Sequence, residues 1–273
     1  MYCDFYATYY IPSKILDEKF IFYNSKWLCA KEAAIHYDIC KLTYSNHQPI
    51  IKRKNQKRRY TIAVNAGHGT VYGEKHKVYQ VPKHLKKNKY INELYDDTNV
   101  MVNAIASGWT NEYKYREADY VLLLARILKD KLIKAGFNVL MLRDSKDCRL
   151  DNIARTIIAN YNADCHIALH LDATSNDKGA FCILMNKKMK YVKKNYSLYD
   201  LLNRCMIMSL INNHEKIYRD IKHYKNLTQA NYSSIPFCCI ELGDHVTVWD
   251  VYHIENMCNA IANGFINYFK QIR

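Results

Sequence analysis

The sequence predicts a three-layer α/β domain, a largely parallel twisted sheet flanked by helices, with a small N-terminal extension. Three observations carry this. Short apolar runs of strand-favouring residues, among them Ile62–Val64, Cys165–Leu171 and Ile235–Leu242, alternate with longer segments whose apolar residues recur at helical spacing. Strand–helix alternation is the pattern of parallel connections crossing one sheet. The chain has 273 residues, nearly half of them hydrophobic, which is ample for a full core.

The elements follow in order. Residues 1–51 are aromatic-rich at first (Phe5, Tyr6, Tyr9, Tyr10), and Trp27–Ala34 reads as the opening of a short helix. The charged run Lys52–Arg59 reads as an exposed linker, so residues 1–59 are expected to be an accessory region with its linker and 60–273 the main domain. The run at Ile62–Val64 is too short for a helix and breaks into Gly67-His68-Gly69, a strand ending in a loop that holds up one imidazole. Between Thr70 and Arg116 lies a polar, Lys- and Tyr-rich segment that reads as a lid or substrate-binding loop. Within it a helix is expected over Thr98–Ser107, capped by Asp97 and ended by Gly108.

From Glu117 the pattern is regular. Val121, Leu124, Ala125, Leu128 and Leu132 mark a helix that stops at Gly136, and Phe137–Leu142 follows as a strand. Leu150–Tyr161 reads as helix, Cys165–Leu171 and Gly179–Met185 as strands, and Leu198–His214 as helix. Ile235–Leu242 reads as a buried strand and Ile254–Phe269 as the last helix.

The net charge of +14, with basic clusters at Lys52–Arg59, Lys83–Lys89 and Lys187–Lys194, points to a polyanion: an anionic wall polymer, a membrane surface or nucleic acid. No apolar run approaches the roughly 20 residues of a membrane span, and the N-terminus has no secretory signal pattern. The ten cysteines show neither CxxC pairs nor a disulfide framework spacing and read as small buried residues in a reducing compartment.

Ligands of open α/β sheets sit beyond the carboxyl ends of strands. His68, His170 and Glu241 each fall at such an end, and Glu117 opens a helix. Two imidazoles and a carboxylate are a common zinc donor set, and a further carboxylate can act as general base. The residues leave choices open: His166 lies four before His170 on the same strand face, and Glu93 and Glu112 compete with Glu117 as the acidic ligand.

From residue 60 to the C-terminus the chain resembles the catalytic domain of zinc-dependent N-acetylmuramoyl-L-alanine amidases of the type 3 family. The matching pieces run in order: Val64-Asn65-Ala66-Gly67-His68-Gly69, Glu117, Gly136-Phe137-Asn138-Val139, Leu142-Arg143-Asp144, Arg155, Ala159-Asn160, Ala163-Asp164, Ile167–Ala173 and Ile235–Gly243. The resemblance implies that His68, Glu117 and His170 hold Zn2+ and that Glu241 is the catalytic carboxylate. It implies hydrolysis of the amide joining N-acetylmuramic acid to L-alanine, with peptidoglycan as substrate and the cell wall as site of action. Under it nucleic acid recedes as a partner. The expected source is bacterial or phage-derived, endolysin-like in lacking a signal. Rival functions are a zinc peptidase or amidase acting on another acyl bond, and a non-catalytic wall- or nucleic-acid-binding module. Asn65 stands where the family commonly has Asp, Thr70 replaces a frequent glycine, and the segment from His68 to Glu117 is longer than usual.

Overall fold

The computed structural model describes residues 20–23, 26–29, 40–51, 59–69, 77–79, 100–103, 105–146, 148, 150–184, 190–218, 222–223, 227, 229–230 and 233–272. In chain order its elements are β1 (Phe20–Tyr23), β2 (Lys26–Cys29), β3 (Lys41–Thr43), β4 (Thr61–Ala66), β5 (Lys77–Tyr79) and β6 (Met101–Asn103). Then come α1 (Glu117–Lys134), β7 (Asn138–Met141), α2 (Asn152–Asn162), β8 (Cys165–Asp172) and β9 (Phe181–Leu184). The last are α3 (Lys190–Asn212), β10 (Lys222–His223), β11 (Phe237–Asp244) and α4 (Val251–Gln271).

Seven strands form the main sheet in the order β10-β9-β11-β8-β4-β7-β3. The pairs β10–β9, β11–β8, β8–β4 and β4–β7 are parallel, while β9–β11 and β7–β3 are antiparallel. The expected three-layer, largely parallel architecture is therefore present. The central strands β4 and β8 are buried almost throughout.

Local chemistry explains the helices. Along α1, Val121, Leu124, Ala125, Leu128 and Leu132 are each at most 1% exposed, and burying each of the valine and leucine side chains is worth about 1.5–3 kcal/mol. Its end is set by Gly136 at φ +89, where a Cβ would lie 2.4 Å from Pro49 Cα. α2 starts at Asp151, whose carboxylate accepts from the Ala154 amide, and α4 starts at Asp250, which caps His253 N in the same way.

Two expectations are corrected. Trp27, Leu28 and Cys29 lie in β2, which pairs antiparallel with β1, and Ala30–Ala34 lie outside the described residues. The Thr98–Ser107 helix is replaced by β6, which pairs with β5, and its expected cap Asp97 lies outside the described residues. In both places strand-favouring side chains (Trp27, Leu28; Val102) found a partner strand, and pairing overrides a weak local helical preference. The basic runs Lys83–Lys89 and Lys52–Arg58 also lie outside the described residues.

The sheet takes in chain before residue 59. β3 pairs with β7, and the residues after it dock on the end of α1, where Ser45 donates Oγ–H to Ile133 O at 2.7 Å. Ile51, 4% exposed, joins the main core.

Candidate active site

β4 ends at Ala66, and the chain then turns through His68 at φ +59 and Gly69 at φ +84. A non-glycine residue in the left-handed region costs about 1–3 kcal/mol and persists only when its surroundings hold it. Here two fully buried arginines hold it. Arg155 donates to Asn65 Oδ1 at 2.8 Å, Ala66 O at 3.1 Å and His68 O at 2.8 Å. Arg143 donates to Ala66 O at 3.0 Å, Gly67 O at 2.9 Å and Ala118 O at 2.7 Å. That last bond ties the histidine loop to the first turn of α1, where Glu117 sits. Burial, reinforced by the neighbouring Arg155 charge, pulls the pKa of Arg143 down to about 9.

The loop delivers His68 to two distant partners. His68 Nε2 lies 2.8 Å from Glu117 Oε1 and 3.1 Å from His170 Nδ1, and His170 Nδ1 lies 3.2 Å from the same Glu117 oxygen. Ligand atoms of the three residues all fall within 4.8 Å of one another. His68 Nδ1 donates to Ala106 O at 2.8 Å, which fixes the tautomer and leaves Nε2 as a lone-pair donor facing inward. Glu117 is itself oriented by the Leu171 amide at 3.1 Å and the Trp109 amide at 3.3 Å. Two ring nitrogens and a carboxylate oxygen crowded round one point repel one another unless a cation or protons lie between them. That donor set suits a divalent metal ion, and these three residues could hold one.

Electrostatics agree with this geometry. Burial raises the pKa of Glu117, but hydrogen bonds with His170 and His68 outweigh it and hold the carboxyl well below the usual range. Burial pushes His170 down, opposed by its contact with Glu117, so its imidazole favours the neutral form that binds metal.

Backbone fits tightly round the cluster. A Cβ on Gly67 would lie 2.3 Å from the His170 ring, and one on Gly108, at φ +74, would lie 2.8 Å from Glu117 Oε2 and 2.9 Å from the His68 ring. Gly108 does not end a helix. It is instead where the chain passes close over the site.

Glu241 is the register partner of His170 on the adjacent parallel strand, so the two side chains share a sheet face about 4.8 Å apart at the backbone. The competing residues separate from this group. His166 is fully buried deeper in the sheet, against Phe237 at 4.7 Å between ring centroids, and burial lowers its pKa to about 3. Glu112 is exposed in the loop before α1, and Glu93 lies outside the described residues.

Other pieces of the sequence pattern act as ties. Asp164 accepts from the Thr61 amide at 2.7 Å and pins the start of β4. Asn160 accepts from the Ser234 amide at 2.9 Å just before β11. Trp109, which no motif singles out, donates its indole N–H to Leu171 O at 3.0 Å beside His170. A tryptophan directly after Gly108, in an otherwise polar segment, was the available signal.

Comparison with known proteins agrees with this architecture. The crystal structure of the N-acetylmuramyl-L-alanine amidase Ami1 from Mycobacterium smegmatis superposes with a TM-score of 0.65 at 12% identity, covering 78% of this chain and 97% of that one. Ami1 from Mycobacterium abscessus gives 0.60 at 15% identity, covering 77% and 98%. The N-acetylmuramoyl-L-alanine amidase from Clostridium difficile 630 gives 0.55 at 19%, covering 78% and 97%. A search of curated protein sequences finds no match. The family profile described as N-acetylmuramoyl-L-alanine amidase matches residues 62–267, which take in every strand of the main sheet except β3 and include His68, Glu117, His170 and Glu241. The chain belongs to the N-acetylmuramoyl-L-alanine amidase family.

Proposed function

We propose that this protein hydrolyses the amide between the lactyl group of N-acetylmuramic acid and L-alanine in peptidoglycan, with zinc held by His68, Glu117 and His170 and with Glu241 as general base. The observation that supports it most is the convergence of two imidazoles and a carboxylate at one sheet edge, with a second carboxylate in register beside them. A zinc ion there supplies Lewis-acid polarisation of the scissile carbonyl and brings the pKa of a bound water to about 7.

The chain's own residues divide the remaining work. Glu241 takes the proton of the attacking water and delivers it to the leaving nitrogen of L-alanine, so that the amine departs neutral. Arg143 and Arg155 keep the His68 loop in its strained turn, and the Ala106 carbonyl holds the His68 ring. Among the described residues no helix is long and apolar enough to cross a membrane.

The test is incubation of the purified, zinc-loaded protein with peptidoglycan, followed by identification of the new ends. Free L-alanine amino groups together with muramoyl carboxylates, abolished by chelation and restored by zinc, are the expected result. Ends at any other acyl bond overturn the substrate assignment, and turnover that survives chelation overturns the metal.

A further inference from the structure

The metal cluster and Glu241 leave unexplained a cleft of about 630 Å³ beside them, walled on one side by Trp109–Tyr113 and on the other by Ala173 with His245 and Val246. We propose that this cleft is a subsite for a sugar ring of the glycan strand, adjoining the muramoyl residue whose amide is cut. The assignment rests on the amidase reading above.

Both walls grow directly out of the reaction centre. Trp109 exchanges hydrogen bonds with Glu117: the Glu117 amide donates to Trp109 O at 3.0 Å and the Trp109 amide to the Glu117 side chain at Oε2, 3.3 Å away. The opposite wall follows Glu241 by a few residues, and the His245 amide donates to Asp172 O at 2.9 Å, two residues past His170. A ligand in the cleft therefore lies next to the cluster, close enough to be a neighbouring unit of the molecule cut there.

The first wall is held in place by its own bonds. The Asn111 amide donates to Tyr115 O at 2.9 Å, the Asn111 side chain accepts from the Tyr115 amide at 2.9 Å, and Thr110 bridges to Arg116. Arg116 is clamped in turn by two hydrogen bonds to Asp119, at 2.9 and 2.8 Å. A loop tied this closely needs little ordering on binding, which favours affinity.

The lining chemistry selects among the parts of the substrate. It offers an indole, a phenol, a hydroxyl, a carboxamide and an imidazole, from Trp109, Tyr113, Thr110, Asn111 and His245. A sugar ring presents C–H groups to aromatic rings and hydroxyl or acetamide groups to short polar side chains. The stem peptide instead brings free carboxylates, which call for cations. Among the described residues lining the cleft none is Lys or Arg, and Glu112 adds a carboxylate that repels such a ligand. Tyr113 stands 72% exposed at the rim, a ring for the ligand to cover.

The test compares KM and kcat of the zinc-loaded full-length protein on a muramoyl-peptide monosaccharide and on the same peptide carried by a four-sugar glycan. The wild type is expected to show a markedly lower KM for the glycan. Tyr113→Ala should raise that KM about tenfold with kcat unchanged, leave the monosaccharide KM unaltered, and be rescued by Tyr113→Phe. A KM indifferent to glycan length, an equal effect of Tyr113→Ala on both substrates, or a preference that follows stem length would each overturn the subsite and leave the amidase reading standing. Cleavage of neither substrate by the wild type would overturn the amidase reading itself.

Discussion

Glu241 on β11 lies directly opposite His170 on β8, in a parallel pair whose register runs unbroken from Phe237 and His166 up to that point and shifts just beyond it. The proposed general base and one proposed metal ligand are thus positioned by a single backbone ladder, and their backbone spacing is as rigid as the sheet. Glu241→Gln keeps the side-chain volume and removes the basicity. We expect loss of at least about 10²–10⁴ in kcat, with zinc content equal to wild type by elemental analysis. Loss of metal together with activity would make Glu241 a ligand instead of a base.

Gly108 is constrained by its neighbours across the site. With φ at +74 and the Glu117 carboxylate and His68 ring within 3 Å of any added Cβ, Gly108→Ala must displace a proposed ligand or distort the loop. The expected cost is about 1–3 kcal/mol of stability and about 10–100-fold in zinc affinity. Competition with a fluorescent chelator measures the second. Unchanged affinity would show that the loop shifts freely.

Asn65 is 1% exposed. Its Oδ1 accepts from Arg155, and its Nδ2 has no hydrogen-bond partner among the described residues. An unsatisfied buried amide costs about 1–3 kcal/mol. Asn65→Asp removes that donor and sets a carboxylate against the buried Arg155, so unfolding in denaturant should shift to higher concentration by an amount worth about 1–2 kcal/mol. A destabilised variant would mean that burying the new charge outweighs its pairing.

Acid stability should be set in part by His166. Its pKa in the fold is pushed down to about 3 by burial, with the Arg155 charge adding to the effect, against about 6.5 when unfolded. Between those values the unfolded chain binds the extra proton, so stability rises with pH across the window and is lost as pH falls from about 6.5 towards 3. The loss amounts to about 5 kcal/mol at most. His166→Leu should flatten this limb in urea titrations at successive pH values, and an unchanged limb would remove His166 as its source.

His253 acts in the opposite sense. Its hydrogen bond to Glu215, 3.1 Å away, raises its pKa, so its contribution is complete below the unfolded value and disappears as pH climbs through the folded one. Glu215→Gln should selectively remove this alkaline loss. A slope that persists in the variant would assign it to another group.

The core of the fold was legible because periodicity survives without knowledge of neighbours. The apolar stripe of α1 and the runs of β4, β8 and β11 each follow a rule that local sequence states outright. The short edge strands β3, β6 and β10 were not legible. Three residues such as Lys41–Thr43 have no period to read, and they are strands because β7 or another edge supplies the hydrogen bonds. Expecting a helix over Thr98–Ser107 failed for the same reason.

The sequence by itself determined the alternation of strands and helices, the glycine-flanked presentation of His68 and the presence of a carboxylate at the head of α1. Tertiary structure alone decided that His170 and Glu117 converge on His68 while His166 and Glu112 do not. It also decided that Gly108 passes over the site and that Arg143 and Arg155 brace the loop carrying His68. Ligand geometry depends on where strand ends fall relative to one another across the sheet. That is set by inter-strand register and by ties such as the Thr61–Asp164 bond, which spans 103 residues of chain and which no local pattern encodes.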